Sequence, residues 1–441
     1  MTPEERLASL AKPPGSLGTL EEWAIVLCRV QKTLEPAATP ASVLVFCADH
    51  GVKKADQALS PFPPSVTQAV FRSLCAGISG VAVLARAADA HLTVVDVGID
   101  GEVGDASAAT GRAISVRHDK VARGSHDLCA GPAMDEATLA RALQAGRDAM
   151  AAEAAERGAR VVALGEVGIG NTTSAAALLA ALTGAASDAD VAACCGRGTG
   201  LDDAGLAHKA EAVGRALSLH RGHVRAQGQL CEGLDAPPPC GRPADGLSGP
   251  SATDAAGGGS GGAGGDDAAA VGGGTAAVDA AAGTATDAAD AADAARAREA
   301  LRRLGGLELA ALVGAFLEAE ARGIVVVVDG FICGVAALVA ARLRPACRGH
   351  MLLATALAEE PNAPQGGERL AAALGVGGVG VGGAGSGAGG SATAIAAPAL
   401  SMGLRLGEGS GAALALPLVR AAAAVVAQMG TLAEAMALGS T

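Results

Sequence analysis

The residues best placed to do chemistry in this chain are carboxylates set beside glycines. In LRLGEGSGA (404–412), Glu408 is flanked by Gly407, Gly409 and Gly411, directly ahead of the apolar run ALALPLV. Two roles fit it. A carboxylate at a helix N-terminus is stabilised as the anion and caps the helix; a carboxylate on a bare, desolvated loop beside a flat apolar ligand rises in proton affinity and becomes a general base. A second cluster is GEVGIGNTTSAAA (165–177), where Gly168 and Gly170 permit a tight turn and Asn171, Thr172 and Thr173 are N-cap residue types ahead of an Ala/Leu-rich segment. Such a turn exposes backbone N–H groups and suits a phosphate, although a capped turn without a ligand reads the same way. A third is GRGTGLDDAGLAHK (196–209): Gly196, Gly198 and Gly200 can form an anion nest, with Lys209 one helix away as a cation. The GK[ST] ending of a Walker A loop is absent from both turns. Asp49 with His50, and Asp329, follow apolar runs; each fits acid/base or ribose contacts as well as a structural role.

Four β-branched runs must position these groups: 42–47 (SVLVFC), 92–97 (LTVVDV), 160–164 (RVVAL) and 324–328 (IVVVV). Their unbroken apolar character predicts a parallel sheet covered on both faces. Helical stretches at 136–156 and 307–321 lie between them, so the pattern is α/β and doubly wound. In such sheets ligands sit beyond the strands' C-terminal ends, which puts Asp49, His50, Asp100, Glu166 and Asp329 on the functional edge. Two stretches break the pattern. Residues 236–295 are almost wholly Ala, Gly, Asp, Ser, Thr and Pro and are expected to be a disordered insertion; 375–401 is a shorter Gly/Ala-rich insertion. There Gly375, Gly377 and Gly380 match GxGxxG, but without the strand before and helix after that a dinucleotide site needs.

The 441 residues carry a formal charge of −12 with no long Lys/Arg run, which argues against nucleic acid or an anionic membrane as partner. No unbroken apolar run reaches the roughly 18 residues of a membrane span, and MTPEERLASL is unlike a signal peptide, so a cytoplasmic enzyme is expected, with organelle targeting left open. The ten cysteines form no CxxC pair and predict free thiols, with no metal. With one Trp, five Phe and no Tyr, the core must be built from Ala, Val and Leu.

Taken in order, KPPGSLGTLEEWA (12–24), CADHGV (47–52), SPFPPSVTQAVF (60–71), DVGID (96–100), VARGSHD (121–127), GEVGIGNTTSAAA, GRGTGLDD, RLGGLELAALVGAFL (303–317), VVVDGFICGVAALVA (326–340) and LRLGEGSGAALALPLV (404–419) closely resemble the nicotinate-nucleotide:dimethylbenzimidazole phosphoribosyltransferase family. The resemblance implies transfer of phosphoribose from nicotinate mononucleotide to 5,6-dimethylbenzimidazole, giving α-ribazole 5′-phosphate and nicotinate for the lower ligand of cobalamin, without a cofactor. It implies a homodimer. Each subunit would have a Rossmann-like large domain (36–235 and 296–411) and a small helical domain from both chain ends (1–35 and 412–441). Glu408 falls on the family's general base, and Glu166 and Lys209 on active-site positions. Substrate contacts would come from Ser60, Gly168, Gly170, Asn171, Thr172, Gly198, Gly200, Asp329 and Leu406. The chain departs from the family pattern at Ala69, where related sequences carry Gln and Gln68 stands one position early, and at ATALAEEPNAP (354–364), which lacks the family's His and Arg. Those changes motivate an alternative, a catalytically impaired nucleotide-binding module of the same fold.

Overall fold

The computed structural model describes residues 1–104, 114–226, 275–359, 364–377 and 394–438, with side chains of 225–226, 275–287, 359 and 364 left out. Six strands form one sheet: β1 (Ala41–Ala48), β2 (His91–Gly98), β3 (Ile114–His118), β4 (Val161–Val167), β5 (Val325–Val328) and β6 (Met351–Leu353). Their order is β3-β2-β1-β4-β5-β6, and every neighbouring pair is parallel. The chain therefore winds outward from β1 through β2 to β3, then returns to β4 and winds the other way. The reversal leaves a crevice beyond the C-terminal ends of β1 and β4, where a doubly wound sheet binds its ligand.

Both sheet faces are covered, and the period of two divides each strand between two cores. Leu44, Phe46, Val162, Leu164, Val326 and Val328 pack with helices Glu136–Arg157, Asn171–Leu182, Leu307–Arg322 and Gly330–Leu343. Val43, Val45, Val161, Ala163, Val325 and Val327 point the other way, to helices Thr19–Gln31, Ser65–Cys75, Gly80–Ala87 and Ser410–Gln428. A core short of aromatic rings is filled by close approach instead: a Cβ on Gly146 would stand 1.8 Å from the carbonyl oxygen of Ala311 on the facing helix.

The four expected strands are present, each within one to three residues of its predicted ends. Two more lay below the sequence signal: β3 (ISVRH) is an edge strand with polar and partly exposed residues, and β6 has only three residues. The expected disorder of 236–295 is corrected over its last part, since helix Thr275–Leu304 begins there; an Ala-rich stretch has the highest intrinsic helix propensity, and Ala297, Ala300, Leu301 and Leu304 anchor its end in the core. The remainder, 236–274, lies outside the described residues, as does most of 375–401. At the start of the latter, Gly375 and Gly377 follow helix Pro364–Leu374 rather than a strand, while Gly380 is outside the described residues.

The two chain ends meet. Arg6 donates to the carbonyls of Val426 (3.1 Å) and Met429 (2.8 Å), and Leu10 bridges to Thr431. Helix Ser410–Gln428 is long and apolar enough to cross a membrane by length and composition, yet it lies against helix Thr19–Gln31 and the sheet as part of one core. That packing fixes the position of the residues just ahead of it, 407–409.

Candidate active site

The end of β1 supplies Asp49 and His50, both buried. His50 Nε2 lies 2.8 Å from Glu308 Oε1 and Nδ1 lies 3.0 Å from Ser174 Oγ, so both ring nitrogens are occupied. Burial disfavours the imidazolium, but Glu308 and Asp49 together outweigh it and raise the His50 pKa. Facing it, the turn after β4 passes so close that a Cβ on Gly168 would meet the Ala48 carbonyl at 2.4 Å and one on Gly170 would meet Lys53 Cβ at 2.8 Å. The turn after β4 thus packs directly on the chain that leaves β1, and side chains at 168 and 170 would separate them.

Glu166 is the penultimate residue of β4 and is buried. Asn171, expected as an N-cap, is instead the first residue of helix Asn171–Leu182; its Nδ2 donates back to Glu166 Oε2, and the N-cap is Gly170 without any side-chain bond. The first turn of that helix keeps N–H groups that no side chain caps. Burial drives the Glu166 pKa well up, and the charges of Glu308, Asp329 and Glu408 add to it.

Glu408 sits beside Glu166 on an unusual backbone: Gly407 (φ 73°), Glu408 (φ 62°) and Gly409 (φ 88°) are all left-handed. For Glu408 this costs about 1 kcal/mol, so the surrounding structure must hold it. Two contacts do so. A Cβ on Gly165 of β4 would fall 2.3 Å from the Glu408 carbonyl oxygen, so the loop lies directly on the strand. From the end of β5, Asp329 accepts the N–H of Gly409 through Oδ2 (3.0 Å) and of Ala412 through Oδ1 (3.1 Å). Asp329 therefore caps helix Ser410–Gln428. It makes no side-chain bond to the helix that follows it, Gly330–Leu343. With the cap supplied by Asp329, Glu408 makes none. Its Oε2 is buried without a hydrogen-bond partner among the described residues, and burial, followed by the charge of Asp329, raises its pKa.

The opposite wall is cationic. Lys209, fully buried, donates to Thr172 Oγ1 (3.0 Å) and to the Gly196 carbonyl (2.8 Å), which brings the two glycine turns together. Gly198 lies against it: a Cβ there would come 3.0 Å from Thr172 Oγ1 and 3.2 Å from Lys209 Nζ. No carboxylate bridges Lys209 among the described residues, and burial lowers its pKa to about 8, with Cys195 acting against the shift. Ser60 Oγ closes the same turn at 3.0 Å from Thr199 Oγ1, and Ser60's carbonyl accepts from Lys53 Nζ (2.9 Å).

Glu166, Asp329 and Glu408 are thus gathered on one side of the crevice, with Thr172, Gly198 and Lys209 on the other; Gly200 lies further along the same loop, where a Cβ would meet nothing within 4 Å. Leu406 is 58% exposed on the rim, against Gly80, and Asp100 is held outside by Lys54 at 2.9 Å. Gln68, beside the departure at Ala69, donates to the Asp100 carbonyl (3.2 Å). Glu308 and Lys53 were missed in the sequence. Glu308 stands inside an apolar helix pattern, LELAAL, where a fully buried acid was the available signal. Among the described residues no group of three or more His, Cys, Asp or Glu is arranged to hold a metal.

A family model described as a phosphoribosyltransferase, DBI_PRT, matches residues 2–234, 247–379 and 392–437. A nicotinate-nucleotide–dimethylbenzimidazole phosphoribosyltransferase of Pseudomonas putida is 37% identical over 388 residues, spanning 84% of this chain and 86% of the relative. One from Chromobacterium violaceum is 36% identical over 354 residues, 80% of this chain and 78% of the relative. The crystal structure of CobT from Thermus thermophilus superposes with a TM-score of 0.68 at 30% identity, covering 98% of this chain and 97% of that one.

Proposed function

The chain belongs to the nicotinate-nucleotide–dimethylbenzimidazole phosphoribosyltransferase family and is a phosphoribosyl-transferring enzyme, and from that premise we propose that it moves phosphoribose from nicotinate mononucleotide to 5,6-dimethylbenzimidazole with inversion at the anomeric carbon. The bond from C1′ to the pyridine nitrogen breaks and nicotinate leaves with the electron pair. One azole nitrogen bonds C1′ from the opposite face, turning a β-linked into an α-linked nucleotide as in inverting glycosyl transfer. Glu408 takes the proton from the other azole nitrogen. Lys209, the uncapped N–H of Thr172 and the turn at Gly198 and Gly200 hold the phosphate, while Ser60 and Leu406 border the azole. Positioning of two bound substrates contributes a large part of the acceleration. The product serves assembly of the lower ligand of cobalamin, and the working unit is a homodimer.

The observation that carries this reading is the Glu408 carboxylate: raised in proton affinity, with one oxygen buried and unpartnered, and relieved of capping duty by Asp329. The test is incubation of the protein with nicotinate mononucleotide and dimethylbenzimidazole, with nicotinate and α-ribazole 5′-phosphate followed by chromatography. Equimolar release of both is expected. A folded protein that binds the mononucleotide and yields neither product would replace this reading with that of a nucleotide-binding module.

A further inference from the structure

Helix Ser410–Gln428 should, by itself, make Glu408 a weak base. Its N-terminus carries a partial positive charge that favours an adjacent anion, and Glu408 precedes its first residue by two positions. The structure places a different carboxylate there. Asp329, buried at the end of β5, spans the N–H groups of Gly409 and Ala412, and a Cβ on Gly411 would strike its Oδ1 at 2.5 Å. Both Asp329 oxygens already serve the helix, so a sugar hydroxyl would have to share them with its N–H groups.

We propose that Asp329 is the positioning residue for Glu408: it clamps the left-handed loop 407–409 onto β4 and occupies the helix N-terminus, leaving Glu408 beside a negative neighbour instead of a positive helix end. The inference rests on Glu408 acting as the base. It explains all three glycines of GEGSG by the loop's backbone and by the room Asp329 needs. Gly407 and Gly409 carry the left-handed turn, and Gly411 makes space for Asp329. The pKa directions agree: burial raises Asp329 to about 6 against the pull of the N–H groups of Ala412, Gly409, Gly411 and Ser410, and Asp329 in turn raises Glu408. The other titratable groups facing the pair are Glu166 on β4, Glu308 with its partner His50, Cys47 on β1 and Cys333 on helix Gly330–Leu343. Both thiols are held far above their ordinary pKa by burial and stay neutral, so they supply no competing charge.

The sign follows. A base works deprotonated, so kcat/KM falls on the acid side through the Glu408 pKa. Removing the negative neighbour lowers that pKa. In Asp329→Asn the acid limb should move down by about one pH unit, with the plateau kcat down about 10-fold and KM for nicotinate mononucleotide within about twofold. Gly411→Ala, which displaces the carboxylate but keeps its charge, should lower kcat at unchanged KM, so the clamp is tested even if Asp329→Asn folds poorly. Infrared titration of 13C-glutamate-labelled protein, with the Glu408 band identified by its loss in Glu408→Gln, reads the same shift without turnover. A Glu408 band that titrates identically in parent and Asp329→Asn overturns the proposal. So does an unmoved acid limb, whether KM rises about tenfold, as for a ribose ligand, or stays constant, as for a helix cap alone. If Glu408→Gln turned over like the parent, the base reading would fail, and the infrared titration would still decide the clamp.

Discussion

The two walls of the crevice solve opposite problems with the same glycine-rich backbone. At 407–411 the loop holds an acid among acids: Glu408 faces Asp329 and Glu166, and the crowded charges raise proton affinity on that side. At 196–200 the loop holds a lone cation, Lys209, satisfied by a hydroxyl and a carbonyl but bridged by no carboxylate among the described residues. Burial pushes both groups toward neutrality, the acid upward and the lysine down to about 8. A buried ion without a counter-ion is costly, and the cost falls when the missing partner arrives. Under the function proposed above, one wall receives a proton and the other an anion.

The largest expected effect breaks the acid wall. Glu408→Gln should lose at least about 10²-fold in kcat with KM for nicotinate mononucleotide little changed, measured by steady-state kinetics. The next breaks the cationic wall. Lys209→Met should raise KM for the mononucleotide by about 10- to 100-fold, the range for a hydrogen bond to a charged group. Their pH dependences sharpen the contrast. In the parent, kcat/KM should fall on the acid side as Glu408 protonates and on the alkaline side as Lys209 loses its charge near pH 8. Glu408→Gln should lose the first limb and Lys209→Met the second. Stability carries a sign of its own. The Lys209 pKa is depressed in the folded state from 10.5, so the folded chain binds fewer protons between about 8 and 10.5, and the stability of the parent relative to Lys209→Met should rise with pH through that window. Smaller still is Gly165→Ala, which pushes a methyl into the Glu408 carbonyl and should cost about 1–3 kcal/mol in urea unfolding. Smallest is Leu406→Ala on the rim, expected to change stability by less than about 0.5 kcal/mol.

The sheet was legible because buried parallel strands leave unbroken β-branched runs, as in SVLVFC and IVVVV. It was illegible where pairing alone makes the strand, as in the three residues of β6. Glu166, Glu408 and Lys209 could be named because each falls in a glycine-bearing segment that resembles a family motif. Their arrangement could not, because it depends on contacts across long sequence separations. That Asp329 reaches across 80 residues to hold the Glu408 loop leaves no local trace; locally its Asp-Gly step reads as a cap for the helix that follows it. Glu308 was hidden for the same reason, since its partner, His50, is 258 residues away. The glycines around Glu408, read from sequence as space for a flat azole, turn out to be required by the loop's own backbone and by Asp329.

Whether Glu408 removes a proton from the attacking azole is decided by comparing an azole that has this proton with one that does not. Parent and Glu408→Gln are assayed for nicotinate release with 5,6-dimethylbenzimidazole and with its analogue bearing sulfur in place of the N–H. A loss of at least about 10²-fold is expected for Glu408→Gln on the imidazole and less than about threefold on the sulfur analogue, which has no proton to give up. An equal loss on both azoles would contradict it and leave Glu408 as a group that shapes the crevice without taking the proton.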